Sequence, residues 1–201
     1  MSATGRSDVR RSDDFYATPA WCTLALLPHL TRCSVLDPCA GDGAILDTVR
    51  QAWGCEAIGI EVDKDRADRS RSVWRNALTH EPWPYADQII TNPPYSLASE
   101  FVERAITTGR DCAFLLRLNY LGSTKRAKFH REHPCDVYVL PRRPSFTNGG
   151  TDATEYAWMV WGHGRGNRWA ILDVDTPDRA RKLQQVDLRQ LSVPESWLAM
   201  R

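Results

Sequence analysis

Short apolar runs alternate with charged or amphipathic segments along most of the chain. The apolar runs predict seven strands, at residues 34–37, 57–60, 88–91, 111–117, 136–140, 156–161 and 169–174. Helices are predicted between them, at residues 19–30, 44–53, 64–74 and 99–107. Strands and helices in this order are typical of an α/β fold with a mostly parallel sheet and helices on both of its faces.

Two late strands, residues 136–140 and 156–161, follow each other without a helix between them. Parallel neighbours need a long crossover, so we predict that residues 156–161 run antiparallel beside an earlier strand. The chain shows no internal repeat and no low-complexity tract. We divide it into a flexible polar arm (residues 1–13), one domain (14–175) and a tail (176–201).

The composition is that of a soluble globular protein, with 42% hydrophobic and 25% charged residues among 201. The formal net charge is only +1, so any basic surface that binds a polyanion must be local. No run of 18 apolar residues is present, and the first 14 residues are polar where a secretion signal is apolar. We therefore expect no membrane span, a cytoplasmic location and six reduced cysteines.

A glycine-rich turn, Asp37-Pro-Cys-Ala-Gly-Asp-Gly43, follows the first predicted strand. Glycine lets the backbone approach a ligand closely, and the helix after the turn points its amide groups at that ligand. The turn has neither the Gly-Lys-Ser/Thr ending of a phosphate loop nor the third glycine of a dinucleotide fingerprint. It is either a tight structural turn or a cofactor site, with candidate residues Asp37, Pro38, Cys39, Gly41 and Gly43.

An acidic residue, Glu61, ends the second predicted strand, 24 residues after Asp37. A carboxylate at this position of an α/β sheet accepts hydrogen bonds from both hydroxyls of a ribose. The alternative is that Glu61 and Asp63 only cap the charged helix that follows. Together with the glycine turn, Glu61 indicates a cofactor that contains a nucleoside but needs no pyrophosphate clamp.

The segment Asn92-Pro-Pro-Tyr95 follows the third long apolar strand. Its two prolines stiffen the backbone and cannot continue the sheet. They leave the Asn92 amide and the Pro93 carbonyl as fixed acceptors beside the ring of Tyr95. The alternative is a Pro-Pro turn with a packing tyrosine.

Such a segment suits methyl transfer to an aromatic amino group. The nitrogen of that group is a poor nucleophile because its lone pair is delocalised into the ring. Two acceptors on its hydrogens stabilise the positive charge that develops as a sulfonium methyl arrives, and a stacked ring holds the acceptor in line. Positioning and electrostatics then supply the catalysis, with no strong general base. The candidate catalytic residues are Asn92, Pro93, Pro94 and Tyr95.

These motifs, in this order, resemble the amino-methylating DNA methyltransferases, and especially the short adenine methyltransferases of phages and prophages. The resemblance covers about residues 14–161. It implies a Rossmann-like class I fold with seven strands and an antiparallel last strand. It also implies S-adenosylmethionine as cofactor, DNA as partner, and a bacterial or phage-infected cell as the setting.

The resemblance also implies roles for further residues. Asp14-Phe-Tyr-Ala-Thr-Pro19 is similar to a segment that packs on the methionine part of the cofactor, which adds Tyr16, Thr18 and Pro19. Phe146, in Pro141-Arg-Arg-Pro-Ser-Phe146, matches the aromatic residue that packs on the target base beside Tyr95. The family usually has an acid near the cofactor adenine, where this chain has Asn76 instead. Asn92 is expected to line the cofactor site as well.

Basic residues are concentrated in two segments, residues 118–133 and 141–151. A solvated charged face is the ordinary explanation of such a run. Phosphate contact near the active edge is the alternative we favour. The candidate DNA-binding residues are Lys125, Arg126, Lys128, Arg131, Arg142 and Arg143. We expect no metal, because His130, His133 and Cys135 lack a fourth ligand at suitable spacing.

The sequence therefore predicts a site-specific DNA N6-adenine methyltransferase with a short or degenerate target site. Methylation of cytosine N4, of RNA or of a protein glutamine remains an alternative, as does a catalytically silent nucleic-acid-binding module. The oligomeric state, monomer or weak dimer, stays open.

Overall fold

A computed structural model describes residues 17–146, 153–166 and 168–173 of the chain. Its helices are α1 (Ala20–Leu26), α2 (Ala44–Trp53), α3 (Lys64–Ser70), α4 (Ala98–Thr107) and α5 (Ala127–Glu132). Its strands are β1 (Val35–Asp37), β2 (Ala57–Glu61), β3 (Val73–Trp74), β4 (Gln88–Thr91), β5 (Asp111–Arg117), β6 (Asp136–Val139), β7 (Tyr156–Trp161) and β8 (Trp169–Ile171). Short 3-10 turns lie at Leu27–His29, Tyr95–Leu97 and Leu118–Tyr120.

The described strands form one sheet in the spatial order β3-β2-β1-β4-β5-β7-β6-β8. All neighbours pair in parallel except β7, which runs antiparallel to both β5 and β6. The α/β class, the mostly parallel sheet and the antiparallel strand at Tyr156–Trp161 are therefore confirmed. β7 lies between β5 and β6, whereas the prediction placed it beside an earlier strand without specifying which.

The sheet has eight strands in the described part of the chain, where seven were predicted. The additional strand, Val73–Trp74, was predicted to be the end of a helix. α3 instead stops at Ser70 because Arg71 takes the left-handed conformation, with φ of 56°, and the chain then pairs with the end of β2. The antiparallel strand is also not the last one, since β8 follows it and pairs in parallel with β6.

Two helix starts differ from the prediction. α1 is preceded by Pro19 as its N-cap and ends at Leu26, and Pro28 in the next turn has no N–H with which to continue the helix. α4 begins at Ala98 with Leu97 as its N-cap, so Ser96 is not the cap that was expected. The residues after the Pro-Pro pair form a 3-10 turn before the α-helix begins.

Helices cover both faces of the sheet, and alternate residues of the strands point to one face or the other. α1 and α2 bury Leu26 and Leu46 in the same cluster as Leu115 of β5. α4 buries Val102 on the opposite face, in the cluster that contains Phe114 of β5. No helix in the described ranges is long and apolar enough to span a bilayer.

Gly59 of β2 lies directly under the glycine turn. A Cβ at this position would clash with the Ser72 hydroxyl and lie 2.6 Å from the Ala40 Cβ and 2.8 Å from Leu46 Cδ1. We expect Gly59→Ala to lower the free energy of unfolding by about 2 kcal/mol, a typical cost of overpacking. Gly122→Ala is the matched control because nothing lies within 4 Å of its added Cβ. Urea titration measures both, and equal stability of the two variants would contradict this packing.

Candidate active site

The carboxyl ends of β1, β2, β4 and β5 meet at one edge of the sheet because these neighbours are parallel. β1 lies between β2 and β4, so the chain changes direction across the sheet at this point. In open α/β sheets, ligands bind outside the carboxyl ends of the strands at such a switch point. The glycine turn after β1 and the Asn-Pro-Pro-Tyr segment after β4 are therefore neighbours in space.

The glycine turn is held by hydrogen bonds from both neighbouring strands. The buried Asp37 carboxylate accepts from the Cys39 amide at 3.0 Å and from the Thr91 hydroxyl of β4 at 2.7 Å. On the other side, the Ala40 amide donates to the Ile60 carbonyl of β2 at 3.0 Å. Gly43 has φ of 87°, a backbone conformation that residues with a Cβ rarely adopt, which explains the glycine at the start of α2.

Glu61 is buried between the glycine turn and the start of α3. One carboxylate oxygen accepts from the Gly41 amide at 2.7 Å, and the other accepts from the Asp63 amide at 2.9 Å. The helix cap is Asp63, whose side chain accepts from the Arg66 amide at 2.9 Å. The capping alternative thus holds for Asp63, while Glu61 joins two backbone segments at the site edge.

Burial changes the chemistry of Asp37. Loss of water raises the pKa of the Asp37 carboxyl to about 7, against the lowering effect of the Thr91 and Cys39 hydrogen bonds, and the nearby Glu61 raises it further. The same burial raises the pKa of the Cys39 thiol far above its ordinary value. Cys39 is therefore a neutral packing residue of the turn, and Asp37 changes charge close to neutral pH.

The Asn92 side chain contacts the residue just before α1. Its Nδ2 donates to the Thr18 hydroxyl oxygen at 3.0 Å, although the two residues are 74 positions apart. The Asn92 side-chain oxygen and the Tyr95 hydroxyl are both buried. Pro93 is buried as well, and Tyr95 starts the 3-10 turn before α4. The four residues of the segment thus have fixed positions at the edge of β4.

An aromatic cluster surrounds Tyr95. The Arg117 guanidinium carbon lies 4.8 Å from the centre of the Tyr95 ring, and its Nε donates to the Tyr156 hydroxyl at 3.2 Å. The rings of Tyr95 and Tyr156 are 5.6 Å apart, and Phe146 packs edge-on to Tyr156 at 5.2 Å. The structure therefore brings Phe146 into the same cluster as Tyr95.

Arg117 and Tyr156 were not identified as site residues from the sequence. They face each other at the end of the antiparallel pair β5 and β7, and this register places both beside Tyr95. The sequence contained one signal for Arg117. It is the last residue of β5, and β5 pairs with β4, the strand that precedes Asn92–Tyr95. Recognising it required the spatial order of the strands.

Asn76 lies after β3, beyond Glu61. Its side-chain oxygen accepts from the Leu78 amide at 2.9 Å, which shapes the local turn. The neighbouring Trp74 is 61% exposed and Val62 is 64% exposed, with the Trp74 indole N–H donating to the Val62 carbonyl at 3.1 Å. This exposed apolar pair is the feature next to Glu61 that the sequence did not single out.

Several expectations fall on residues outside the described ranges. Tyr16, the whole arm (residues 1–13) and the tail 176–201 are among them, as are residues 147–151 of the second basic segment. Of the segment from Asp14 to Pro19, the structure describes the last three residues, which include Thr18 and Pro19.

The basic residues are spread over more than one edge of the sheet. Arg126 donates to the Tyr120 carbonyl at 2.8 Å and packs on the Tyr120 ring at 4.3 Å, close to the end of β5. α5 then runs towards the opposite edge, where the Trp161 indole donates to the His133 carbonyl at 2.9 Å. Residues 118–126 are thus near the candidate site, and the end of α5 is far from it.

The other basic side chains have different surroundings. Arg142 lies 4.6 Å from the Trp21 ring, Arg143 pairs with Glu155 at 2.6 Å, and Lys128 pairs with Glu132 at 3.7 Å. Lys125 and Arg131 are exposed and form no ion pair within the described residues. The same part of the chain has no group of three or more His, Cys, Asp or Glu placed to hold a metal.

The fold resembles solved structures of methyltransferases. A proposed RNA methyltransferase from Pyrococcus horikoshii superimposes with a TM-score of 0.59 at 18% identity, over 73% of this chain and 86% of that one. The methyltransferase subunit of a type I restriction-modification system from Streptococcus thermophilus gives 0.58 at 14% identity, over 92% and 53%. The modification subunit of a proposed type I restriction enzyme from Vibrio vulnificus gives 0.57 at 14%, over 92% and 55%.

These likenesses assign the architecture: the chain has the Rossmann-like fold of class I methyltransferases. The chain spans about half the length of the two restriction-modification subunits. No protein-family model and no curated protein sequence matches it.

The buried Asp37 carboxyl makes stability depend on pH. Its pKa is about 7 in the folded chain and near 3.8 when exposed, so the folded chain binds the extra proton between these values. The protonated Asp37 carboxyl makes its full contribution to the free energy of unfolding below about pH 4. This contribution is lost as the pH rises towards 7. We expect Asp37→Asn, which cannot ionise, to gain stability over the parent chain by about 2 to 4 kcal/mol across this range.

Urea titration at several pH values between 4.5 and 8 measures the difference. The same exchange at the exposed Asp68 is the matched control. If the parent chain and Asp37→Asn kept a constant stability difference over the whole range, Asp37 would not be a protonated buried acid.

Proposed function

We propose that this protein is an S-adenosylmethionine-dependent methyltransferase that methylates the exocyclic N6 amino group of adenine in DNA, at a short or degenerate site. The observation that carries the proposal is the position of Asn92–Tyr95. This segment follows β4, beside the glycine turn of β1, at the switch point of a class I methyltransferase fold. The Asn92 amide and the Tyr95 ring are both held by neighbours on other elements.

The residues at the glycine turn fit the proposed cofactor. Each oxygen of the Glu61 carboxylate takes one backbone N–H, which leaves acceptor capacity on both for the two hydroxyls of a ribose. The buried Asp37 carboxyl can supply a negative charge near a sulfonium. The exposed Val62 and Trp74 offer an apolar surface next to Glu61 for an adenine ring. When bound, the cofactor supplies an electrophilic methyl group.

The acceptor side is formed by Asn92, Pro93 and Tyr95. The Asn92 side-chain oxygen and the Pro93 carbonyl accept hydrogen bonds from the target amine and so stabilise charge that develops on its nitrogen. The Tyr95 ring supports the extruded base, with Phe146 as a further wall of the same cluster. Base extrusion costs a few kcal/mol, which these contacts offset. The proton leaves to solvent after the methyl has been transferred.

DNA is favoured as the substrate by the basic residues near this edge. Lys125 is exposed close to the end of β5, and Arg142 lies in the loop that carries Phe146. We propose that they contact phosphates together with Arg126 and Arg143, and that Lys128 and Arg131 of α5 contact phosphates farther from the active edge. Methylation of cytosine N4, of RNA or of a glutamine, and binding without catalysis, are outcomes that the first experiment distinguishes.

That experiment supplies purified protein with S-adenosylmethionine labelled in its methyl group and, in separate reactions, with unmodified DNA, with RNA or with glutamine-containing proteins. We expect a nucleoside digest, resolved by mass, to contain the label as N6-methyldeoxyadenosine. Asn92→Ala should bind the cofactor normally and transfer the methyl at least about a hundredfold more slowly, because its oxygen acts where charge develops. Label in N4-methylcytosine, in RNA or in a glutamine would reassign the acceptor. Cofactor binding without any transfer would indicate a silent binding module.

Cofactor affinity should depend on the charge of Glu61. We expect Glu61→Gln to weaken S-adenosylmethionine binding by about 3 kcal/mol, roughly a hundredfold, because two hydrogen bonds to a charged group are weakened. Asp63→Asn is the matched control, since asparagine also caps a helix. Isothermal calorimetry measures affinity, and urea titration checks that both variants fold. Equal losses of affinity in the two variants would mean that Glu61 acts only through the backbone it holds.

The recognition site should be short. Each base pair that is read needs its own contacts from a helix or loop in a groove. At the active edge, the described residues offer only the segment after β5 and the loop after β6 for this purpose. We expect a site of roughly two to four base pairs, given this number of reading elements. Single-molecule sequencing of DNA methylated in vitro tests this, and a strict site of six or more base pairs would contradict it.

A further inference from the structure

Arg117 lies between two tyrosines of the aromatic cluster at the candidate site. Its guanidinium carbon lies over the Tyr95 ring, 4.8 Å from the ring centre, and its Nε donates to the Tyr156 hydroxyl at 3.2 Å. A guanidinium has N–H donors and no acceptor, so Arg117 is the donor in this hydrogen bond. Arg117 thus joins Tyr95 of the proposed catalytic segment to Tyr156 of β7.

The backbone of Arg117 is fixed by the sheet. Arg117 is the last residue of β5 and faces Tyr156 in the antiparallel register with β7. The Leu118 amide donates to the Glu155 carbonyl at 3.0 Å, so the pairing extends beyond Arg117. On its other side, β5 pairs along the whole of β4. The guanidinium is therefore carried by a strand in the rigid interior of the sheet.

The side chain of Tyr95 has less support from its own segment. Pro93 and Pro94 restrict the backbone that precedes it, but they do not fix its χ1 angle. Tyr95 begins a short 3-10 turn and is only partly buried. A cation over the face of an aromatic ring is attracted to it, more strongly where water is partly excluded. Since Arg117 is half-buried, its contact favours the ring orientation seen in the structure.

We propose that Arg117 is a positioning residue that holds the Tyr95 ring in the orientation that supports the target base. This inference rests on the proposed function, because it assigns a purpose to the ring of the same catalytic segment. Arg117 does not touch the reacting atoms in this role and acts through the face of the ring. Two other roles compete with this one: a direct contact to a DNA phosphate, and packing that only stabilises the fold.

The Tyr95→Leu background supplies the decisive test, because leucine keeps an apolar side chain and removes the ring. If Arg117 acts through the ring, its removal should slow methyl transfer beside Tyr95 and change little in Tyr95→Leu. If Arg117 binds a phosphate or only stabilises the fold, its removal should cost the same in both backgrounds. Such a cycle isolates the interaction between the two positions.

The experiment measures single-turnover methyl transfer at saturating S-adenosylmethionine and DNA for Arg117→Met, Tyr95→Leu and the double variant. Methionine keeps an unbranched side chain and removes the charge. We expect Arg117→Met to slow transfer by roughly tenfold, the size of a partly buried cation–π contact. Adding Arg117→Met to Tyr95→Leu should change the rate by less than about threefold, since the ring that the charge contacts is absent. Equal losses in the two backgrounds would overturn the inference.

Binding measurements separate the phosphate role from the positioning role. The affinity of Arg117→Met for DNA should stay within about threefold of the parent chain, because phosphate contacts rather than the Tyr95 ring supply most of that affinity. Its affinity for S-adenosylmethionine should be unchanged. A phosphate contact would instead weaken DNA binding and lower the slope of log affinity against log salt by about one. That result, together with a parent rate at saturation, would also overturn the inference.

Arg110→Met is the matched control, at the opposite end of the same strand. Arg110 directly precedes β5, and its Nη1 donates to the Pro84 and Ala86 carbonyls at 3.1 and 3.2 Å. We expect Arg110→Met to transfer the methyl at the parent rate, with urea titration to show that both variants are folded under the assay conditions. A loss as large as that of Arg117→Met would mean that general destabilisation explains both.

A readout that needs no activity separates this inference from the proposed function. The Tyr95 ring must leave the guanidinium when it turns about its Cβ–Cγ bond. We therefore expect it to flip roughly tenfold faster in Arg117→Met than in the parent chain. Nuclear magnetic resonance of labelled tyrosine rings measures these rates, and the Tyr95 signal is the one lost in Tyr95→Leu.

The Tyr120 ring is the internal control for this measurement. Arg126 covers it at 4.3 Å, so its flip rate should be the same in Arg117→Met and in the parent chain. A parent chain that methylates no DNA but shows the faster Tyr95 flip in Arg117→Met would refute the proposed acceptor and leave the action of Arg117 on Tyr95 supported. An unchanged Tyr95 flip rate would refute that action, whatever the acceptor.

Discussion

A buried hydrogen bond from the Thr91 hydroxyl to the Asp37 carboxyl joins the two halves of the candidate site. The backbone pairing of β1 and β4 includes Val35 with Gln88 and Leu36 with Ile89. The side-chain bond at 2.7 Å lies just beyond these pairs, at the point where both strands leave the sheet. The glycine turn follows directly after β1, and the Asn-Pro-Pro-Tyr segment follows directly after β4. Their relative position therefore depends on this contact.

The same carboxyl connects the proposed chemistry to the stability of the fold. Burial makes ionisation of Asp37 costly, and the nearby Glu61 adds to that cost. A cation bound beside the turn favours the ionised form, as any opposite charge does. Under the proposed function, a sulfonium and the charged carboxyl reinforce each other, so the protein gives up some stability without ligand for affinity with it. This is a common arrangement at functional sites.

Much of the fold could be predicted from the sequence because several elements have sharp chemical boundaries. α2 is followed by Gly54 in the left-handed conformation, and β4 is followed by Asn92 and a Pro-Pro pair, so the ends of both elements were placed correctly. β3 was missed because it has only two residues and one of them, Trp74, is exposed, so it shows no apolar pattern. A two-residue edge strand is defined by the strand that it pairs with.

The candidate site divides in the same way. The glycine turn, Glu61 and Asn92–Tyr95 are local motifs, so each can be identified from the sequence alone. The partners of Asn92 and Tyr95 are not local. Thr18 lies 74 positions from Asn92, and Arg117 reaches Tyr95 only because its strand is the neighbour of β4. Contacts of this kind follow from strand order, which periodicity and composition do not specify.

The insertion of β7 between β5 and β6 has a consequence for how the molecule is made. β1, β2 and β4, with the glycine turn and Glu61, are complete in the chain by Thr91. The wall around Tyr95 is completed only when Tyr156 arrives, and β6 must until then leave a gap beside β5. Pairings between distant segments form slowly. Under the proposed function, a chain emerging from the ribosome thus completes the half of the site that would hold the nucleoside first, and the half that would hold the target base last.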